Sequence, residues 1–387
     1  MKNRIFYIAS FDIEQNKKEN RNHVLASTNK INYIIDVLND MNYGVDVIST
    51  SHTMNRKCYS GKTLRWDNNT ITLLPTTWRG KGLLKILNLF VMNISLLITV
   101  LTKIKSMDTV IVYHSYGFLW LNHILKLKKV KLINECEEIY GDIFGRPWLS
   151  FMERRALSHA DSYIYPTKLL NMIVNKNNKP YLVVHGAYKD VGAKFFSDSS
   201  KENVEFDQGL FHIAYTGILD PRKGCLDVIR AAEFLDGSYY IHILGSGSDK
   251  EQKQLAIEIE KIRERTECRI SYDGIRRGLE YTNYLSQINL GICTLDTRQK
   301  FTLTQFPSKI ISYMSVGVPV LCSEVRSIVD CDVAQAITFY KGNSPLDIAR
   351  GIKEARNKVK IDTITLLNEC DNSFKKELNE IISINKG

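Results

Sequence analysis

Ser308 and Lys309 stand in the stretch FPSKIISYMSVGVPV, residues 306–320. A hydroxyl and an ammonium at the mouth of a helix, where backbone N–H groups are unbonded and the macrodipole is positive, suit an anion, most often phosphate. An ordinary capped helix with a solvated lysine explains the same residues. AYTGILDPRKG places Gly217 after an apolar run, then Arg222 and Lys223 ahead of a helical pattern. A glycine lets backbone approach a ligand, and Arg222 and Lys223 offer a fork and a point charge to a diphosphate. ILGSGSDK places Gly245 and Gly247 after another run. It is not a dinucleotide fingerprint, because Lys250 stands where the third glycine belongs. In the first half, VYHSYGF sets His114 at the end of an apolar run, and NECEEIYGDIF sets Glu135, Glu137, Glu138 and Asp142 after the next. A carboxylate there suits binding or activating a hydroxyl. A core histidine and a solvated loop are the competing explanations.

These residues need elements to position them. Ser308 is the expected N-cap of a helix that Gly317 ends and Pro319 keeps from restarting. INLGICTL before it and PVLC after it read as buried strands. Strand, helix, strand makes a βαβ unit and implies a parallel sheet, whose strand ends and helix N-termini face one crevice. The pattern recurs. RIFYIAS, VDVIST, TVIVYHS, VKLINE, DSYIYPT and YLVVHGA are the expected strands of the first half. VLASTNKINYIIDVLNDMNYG is an amphipathic helix expected to end at Gly44, after a polar loop, FDIEQNKKENRNH. FHIAYTG, YYIHILGSG and CRISYDG are strands of the second half, alternating with helices. Two doubly wound α/β domains follow, spanning 1–190 and 211–360, with a polar linker at 191–210. A C-terminal helical stretch at 361–387 is placed to cross back onto the first half.

The chain has 387 residues, 44% hydrophobic and 24% charged, which is globular composition long enough for two domains. Its eight cysteines are spread singly with no C-x-x-C pair, which argues against a disulfide framework and zinc. The N-terminus MKNRIFYIASFD lacks a signal-peptide pattern, so a reducing, cytoplasmic compartment is expected. A net charge of +10 suits anionic lipid or phosphorylated small molecules. No nucleic-acid-binding signature accompanies it.

WRGKGLLKILNLFVMNISLLITVLTKIK, residues 78–105, is close to the roughly 20 residues of a membrane span. Lys85, Asn88 and Asn93 interrupt it and basic residues flank it. It reads either as a buried domain helix or as a helix with one face on the inner leaflet, using Trp78, Arg79, Lys81 and Lys85 at the headgroups.

The series YTG…DPRKG, ILGSGS, YDGI and FPSKIISYMSVGVPVLCSEV, in this order at successive element ends, resembles the retaining GT-B glycosyltransferases of the class numbered family 4. The resemblance covers about Phe211 to Val329. MERRALSHADSYIYPT and VVHGAY resemble the family's first-domain motifs more loosely. The resemblance implies two Rossmann-like domains facing a central cleft and transfer of a sugar from a nucleotide-diphosphate donor to a hydroxyl acceptor, with retention. It implies a cytoplasmic enzyme, peripheral on the inner face of the membrane, with a lipid-linked glycan of surface polysaccharide as acceptor.

Residue by residue, it implies that Lys223 contacts the donor diphosphate and that Gly274 and Ile275 lie at the nucleobase. Thr304, Phe306, Ser308 and Lys309 fall at the sugar and phosphate contacts. His114 meets donor sugar or acceptor. Of the carboxylates after the next strand, Glu138 is the one expected, from its place in the chain, to serve the acceptor hydroxyl. Much of the proton work falls to the leaving phosphate. No metal or cofactor is expected, and no D-x-D stands at a strand end.

Three positions depart from the family. Ile218 stands where a basic residue usually follows the glycine, with Arg222 as substitute. Ser312 and Thr304 stand where the family carries glutamates. A neutral hydrogen bond contributes about 1 kcal/mol against about 1.5–3 for a charged one, so weaker donor binding or an atypical donor is implied. Two other readings stay open. One is a non-catalytic relative binding a nucleotide or a partner transferase. The other is a nucleotide-sugar epimerase, which would want carboxylates around the sugar in both halves.

Overall fold

Short apolar runs alternate with amphipathic stretches along the chain, and the runs become the strands of two sheets. The computed structural model describes residues 4–22, 24–78, 82–189, 206–220, 223–298, 302 and 304–384. Two units divide the chain, 1–184 with 373–387 and 185–372. Sequence reasoning put the bounds at 190, 210 and 360.

The first unit runs β1 (Arg4–Ala9), α1 (Leu25–Asp40), β2 (Gly44–Ser49), β3 (Lys62–Trp66), β4 (Asn69–Leu73), α2 (Leu83–Lys103), β5 (Thr109–Tyr113) and α3 (Trp120–Leu127). It continues with β6 (Lys131–Glu135), α4 (Tyr140–Ile143), α5 (Pro147–Leu157), β7 (Ser162–Tyr165), α6 (Lys168–Val174) and β8 (Tyr181–Val183). The sheet order is β3-β4-β2-β1-β5-β6-β7-β8, parallel except for the β3–β4 hairpin. Leu96 and Val100 of α2, Leu121 and Leu125 of α3, Leu157 of α5 and Leu170 of α6 share one core with the strands. The outer side of α2 is different. Ile86, Phe90, Ile94, Ile98 and Leu101 are all exposed.

The second unit runs β9 (Phe211–Ile218), α7 (Cys225–Ala231), β10 (Tyr239–Ser246), α8 (Asp249–Arg263), β11 (Arg269–Gly274), α9 (Gly278–Leu285) and β12 (Leu290–Cys293). Then come α10 (Ser308–Met314), β13 (Val320–Ser323), α11 (Arg326–Val329), β14 (Ile337–Tyr340) and α12 (Pro345–Asn357). The last helix, α13 (Thr363–Ser383), begins in this unit and ends in the first. The sheet is wholly parallel, ordered β11-β10-β9-β12-β13-β14. Strand order reverses between β9 and β12, the place where open α/β sheets bind ligands. In the first unit the same reversal lies between β1 and β5.

Several expectations need correction. Ser308 is the first residue of α10, not its cap. Pro307 holds that place in extended backbone and no side chain caps the helix. The helix expected to reach Gly44 stops at Asp40, because Asn42 takes a φ of 64° and turns the chain into β2, which Gly44 begins. The polar loop before it holds a short 3-10 helix, Glu14–Glu19. Phe206, expected in the linker, is buried against His212 and His242. Most of that linker, with Arg222, Arg79 and Lys81, lies outside the described residues.

Candidate functional site

At the carboxyl end of β9 the chain passes through Gly217 with a φ of 138°. A Cβ on Gly217 would lie 3.3 Å from Lys309 Nζ, so the ammonium sits directly over this backbone. Gly245 stands beside it in register on β10. A Cβ on Gly245, where φ is 151°, would lie 1.7 Å from the Gly217 carbonyl oxygen. Gly245 therefore serves close packing of two strand ends.

Helix α10 is fixed at this point by Tyr313. Its hydroxyl accepts from Thr216 N at 2.9 Å and donates to the Ala214 carbonyl at 3.1 Å. Its ring lies on Gly291 of β12, where a Cβ would come within 2.3 Å. Lys309, one residue into the helix, is thereby held at the switch point. Its Nζ lies 4.0 Å from the Tyr215 ring centroid, a cation–π distance. Burial lowers the Lys309 pKa and the charge of Lys223 adds to the lowering, while the thiols of Cys293, Cys225 and Cys322 oppose it. Among the described residues no carboxylate pairs with Lys309. An inward-facing ammonium without an acid gains most from a ligand that brings negative charge.

Lys223 is exposed, just before α7. Its carbonyl accepts from Thr294 Oγ1 at 2.8 Å and from the Tyr215 hydroxyl at 3.1 Å, which ties the loop to the ends of β9 and β12. Thr304 and Phe306 lie half-buried in the loop before α10. Ser327 Oγ donates to the carbonyls of Thr302 and Gln305 at 3.1 and 3.2 Å and holds that loop. The Phe306 ring stacks on His185 at 4.5 Å. Ser312 Oγ donates to the Ser308 carbonyl at 3.2 Å, a bond within its own helix. Gly274 ends β11 with a φ of 72°, nothing lies within 4 Å of its Cβ position, and Ile275 is exposed. The described donor-side residues assigned from sequence thus gather at one end of one sheet, with Gly217, Gly245, Lys223 and Lys309 the tightest group.

The first unit holds the other two assignments. His114 follows β5 and is buried. Its Nε2 lies 2.8 Å from Glu153 Oε1, and Glu153 is wholly buried on α5. Glu153 also accepts from Tyr140 N at 3.0 Å and Gly141 N at 2.6 Å. One carboxylate therefore orients the imidazole and the turn of α4. Glu153 occurs in the MERRALSHADSYIYPT stretch, but no spacing joins it to a histidine 39 positions earlier.

The acidic stretch is divided by its partners. Glu135 is buried, accepts from the Tyr7 hydroxyl and lies 3.8 Å from Lys30 Nζ. Burial first, with Glu137 adding and Lys30 opposing, pushes Glu135 up to about 7. Glu137 pairs with Lys30, and Asp142 accepts from Ser150 and Arg154, each at 2.6 Å. Glu138 is half-buried between them. Among the described residues, no three His, Cys, Asp or Glu side chains are grouped to hold a metal ion.

No protein-family model and no curated protein matches the chain. Solved structures do. The E. coli trehalose-6-phosphate structure bound with UDP-2-fluoroglucose aligns with a TM-score of 0.70 and 12% identity over 99% of both chains. An α,α-trehalose-6-phosphate synthase from Burkholderia multivorans aligns at 0.68 and 10%, over 98% of this chain and 99% of its own. Anabaena HepE in complex with UDP and glucose aligns at 0.59 and 12% over all of both chains. With two sheets of Rossmann type and full-length alignment to such structures, the chain has the GT-B fold.

Proposed function

We propose that the chain is a retaining glycosyltransferase that moves a hexose-type sugar from a nucleoside diphosphate to a hydroxyl acceptor, without a metal. One observation carries this reading. Lys309 is an ammonium that pairs with no carboxylate among the described residues, held over Gly217 at the strand-order reversal of a Rossmann-type sheet. In the proposal Lys309 and Lys223 take the diphosphate, and their charge stabilises the leaving phosphate as the glycosidic bond to it breaks. Gly274 and Ile275 meet the base, while Thr304, Phe306, Ser308 and Ser312 line the ribose and sugar. Uridine is the base we infer, because two of the aligned structures hold UDP or a UDP-sugar analogue.

The acceptor in this reading is a lipid-linked glycan of surface polysaccharide synthesis, met at the inner face of the membrane. Support comes from α2. Its exposed stripe of Ile86, Phe90, Ile94, Ile98 and Leu101 holds no acid, and Lys85 and Lys103 stand at its ends. This pattern favours an anionic leaflet over water. By length and composition 85–103 would also suffice to cross a membrane.

The test is thermal shift with a panel of nucleotides and nucleotide-sugars, using Lys223→Ala and Lys309→Ala as controls. One diphosphate should stabilise the wild type and neither variant. No shift with any of them removes the donor assignment. The intrahelical bond of Ser312 favours a second reading, a non-catalytic nucleotide-binding relative. Ser312→Glu separates the two: donor binding gained would favour that reading, and activity lost would favour an enzyme adapted to serine.

A further inference from the structure

Beside His114 three aromatic rings meet at the ends of two paired strands. Tyr116 comes from the turn after β5, Tyr140 begins α4 after β6 and Phe144 follows that helix. Ring centroids lie 5.0 Å apart for Tyr116–Tyr140, 5.8 Å for Tyr116–Phe144 and 6.1 Å for Tyr140–Phe144. The Tyr140 ring is in turn 5.9 Å from His114. Such a cluster inside a core would need no comment. Here Tyr116 is 50% exposed and Phe144 48%. Water covers apolar faces that a ligand could cover at a gain of roughly 25 cal/mol per Å².

The platform is built rigidly. Glu153 accepts the N–H of Tyr140, and a Cβ on Gly141 would lie 2.1 Å from Ser150 N, so α4 is pressed onto α5. Its surroundings are polar. The Arg146 guanidinium lies 5.9 Å from the Phe144 ring centroid and forms no ion pair among the described residues. Burial, with Glu138 adding, raises the Tyr140 pKa, so its phenol keeps its proton.

We propose that Tyr116, Tyr140 and Phe144 form the floor of an acceptor subsite that takes a pyranose ring. The axial C–H groups of a sugar face stack on aromatic rings, and its hydroxyls need a rim of donors and acceptors. Arg146, Glu138 and the two phenols supply that rim. An isoprenoid chain on the same floor would leave the Arg146 guanidinium and the two phenols facing hydrocarbon. The inference rests on the transferase reading for the sugar being an acceptor, and it places that sugar beside His114.

Saturation-transfer NMR on the full chain tests it, with methyl glycosides of glucose, galactose and N-acetylglucosamine, with and without saturating UDP. Farnesyl phosphate is the competing probe. At least one glycoside should bind, with its ring protons saturated. Tyr116→Ala and Phe144→Ala should each weaken it about tenfold, the equivalent of about 1.4 kcal/mol, and Phe144→Tyr should restore it. The UDP thermal shift should stay the same in all three variants. No glycoside bound, glycoside binding indifferent to both alanines, or farnesyl phosphate alone bound through these rings would each overturn the subsite. Glycoside binding without any UDP shift would keep the subsite and remove the donor reading; the reverse would remove the subsite only.

Discussion

At the switch point of the first unit, between β1 and β5, His114 meets a buried carboxylate and a carboxylate-rich loop follows the next strand. At that of the second, between β9 and β12, Lys309 lies over the Tyr215 ring, and among the described residues no carboxylate pairs with it. The topology is shared, so the difference lies in what the strand ends carry. One end orients an imidazole; the other, in the function proposed above, receives an anion. A site that lacks its counter-charge until a ligand arrives gives up stability for affinity.

Gly245→Ala breaks the second site hardest. A Cβ 1.7 Å from the Gly217 carbonyl at a φ of 151° forces the two strand ends apart. We expect a loss of about 3–4 kcal/mol in urea unfolding. Gly274→Ala is the control, because nothing lies within 4 Å of its Cβ position, and backbone strain alone costs about 1–2 kcal/mol. Equal losses would contradict the packing described.

Lys309→Met sharpens the contrast between the two ends. Nucleoside-diphosphate affinity should fall by about 1.5–3 kcal/mol, roughly 10- to 150-fold, by calorimetry. The melting temperature should hold or rise, because a desolvated cation is replaced by an apolar chain of similar length. Glu153→Gln is its counterpart in the first unit. Turnover and its pH profile should change through His114 while nucleotide affinity stays as it was. A loss of both together would mean that Glu153 only supports the fold.

Glu135 gives the smallest expected effect. An ordinary carboxyl titrates near 4.5 and this one near 7 in the fold. Between those values the folded chain holds a proton that the unfolded chain has lost, so stability falls as pH rises through the window. Glu135→Gln should flatten that slope in melting curves between pH 5 and 8. An unchanged slope would assign it to other groups.

The strands were legible where their faces were buried on both sides, as at KLINE, Lys131–Glu135, buried throughout. The β3–β4 hairpin was not, because edge strand β3 carries Lys62 and Arg65 and reads as polar loop. Asp67, with its φ of 46°, was the available turn signal. The placement of Gly217 at a strand end and Lys309 at a helix start was legible, because glycine and proline punctuate those ends. Pro307 took the cap that a serine's usual preference assigned to Ser308. Glu153 was illegible as a partner of His114, because that pairing is a product of helix packing and leaves no trace in spacing.

The path of α13 has a consequence for synthesis. Phe374, Leu378 and Ile381 are buried, with Phe374 5.5 Å from the Tyr33 ring, and Lys131 Nζ donates to the Ile382 carbonyl at 2.6 Å. A ribosome makes these residues after all of the second unit. The first unit is therefore completed only after the second has been made, and the second can close its own core while its predecessor still waits for a missing helix. Until this helix emerges, a nascent chain carries the side of α1 that holds Tyr33 uncovered, which gives chaperones a defined window on this protein.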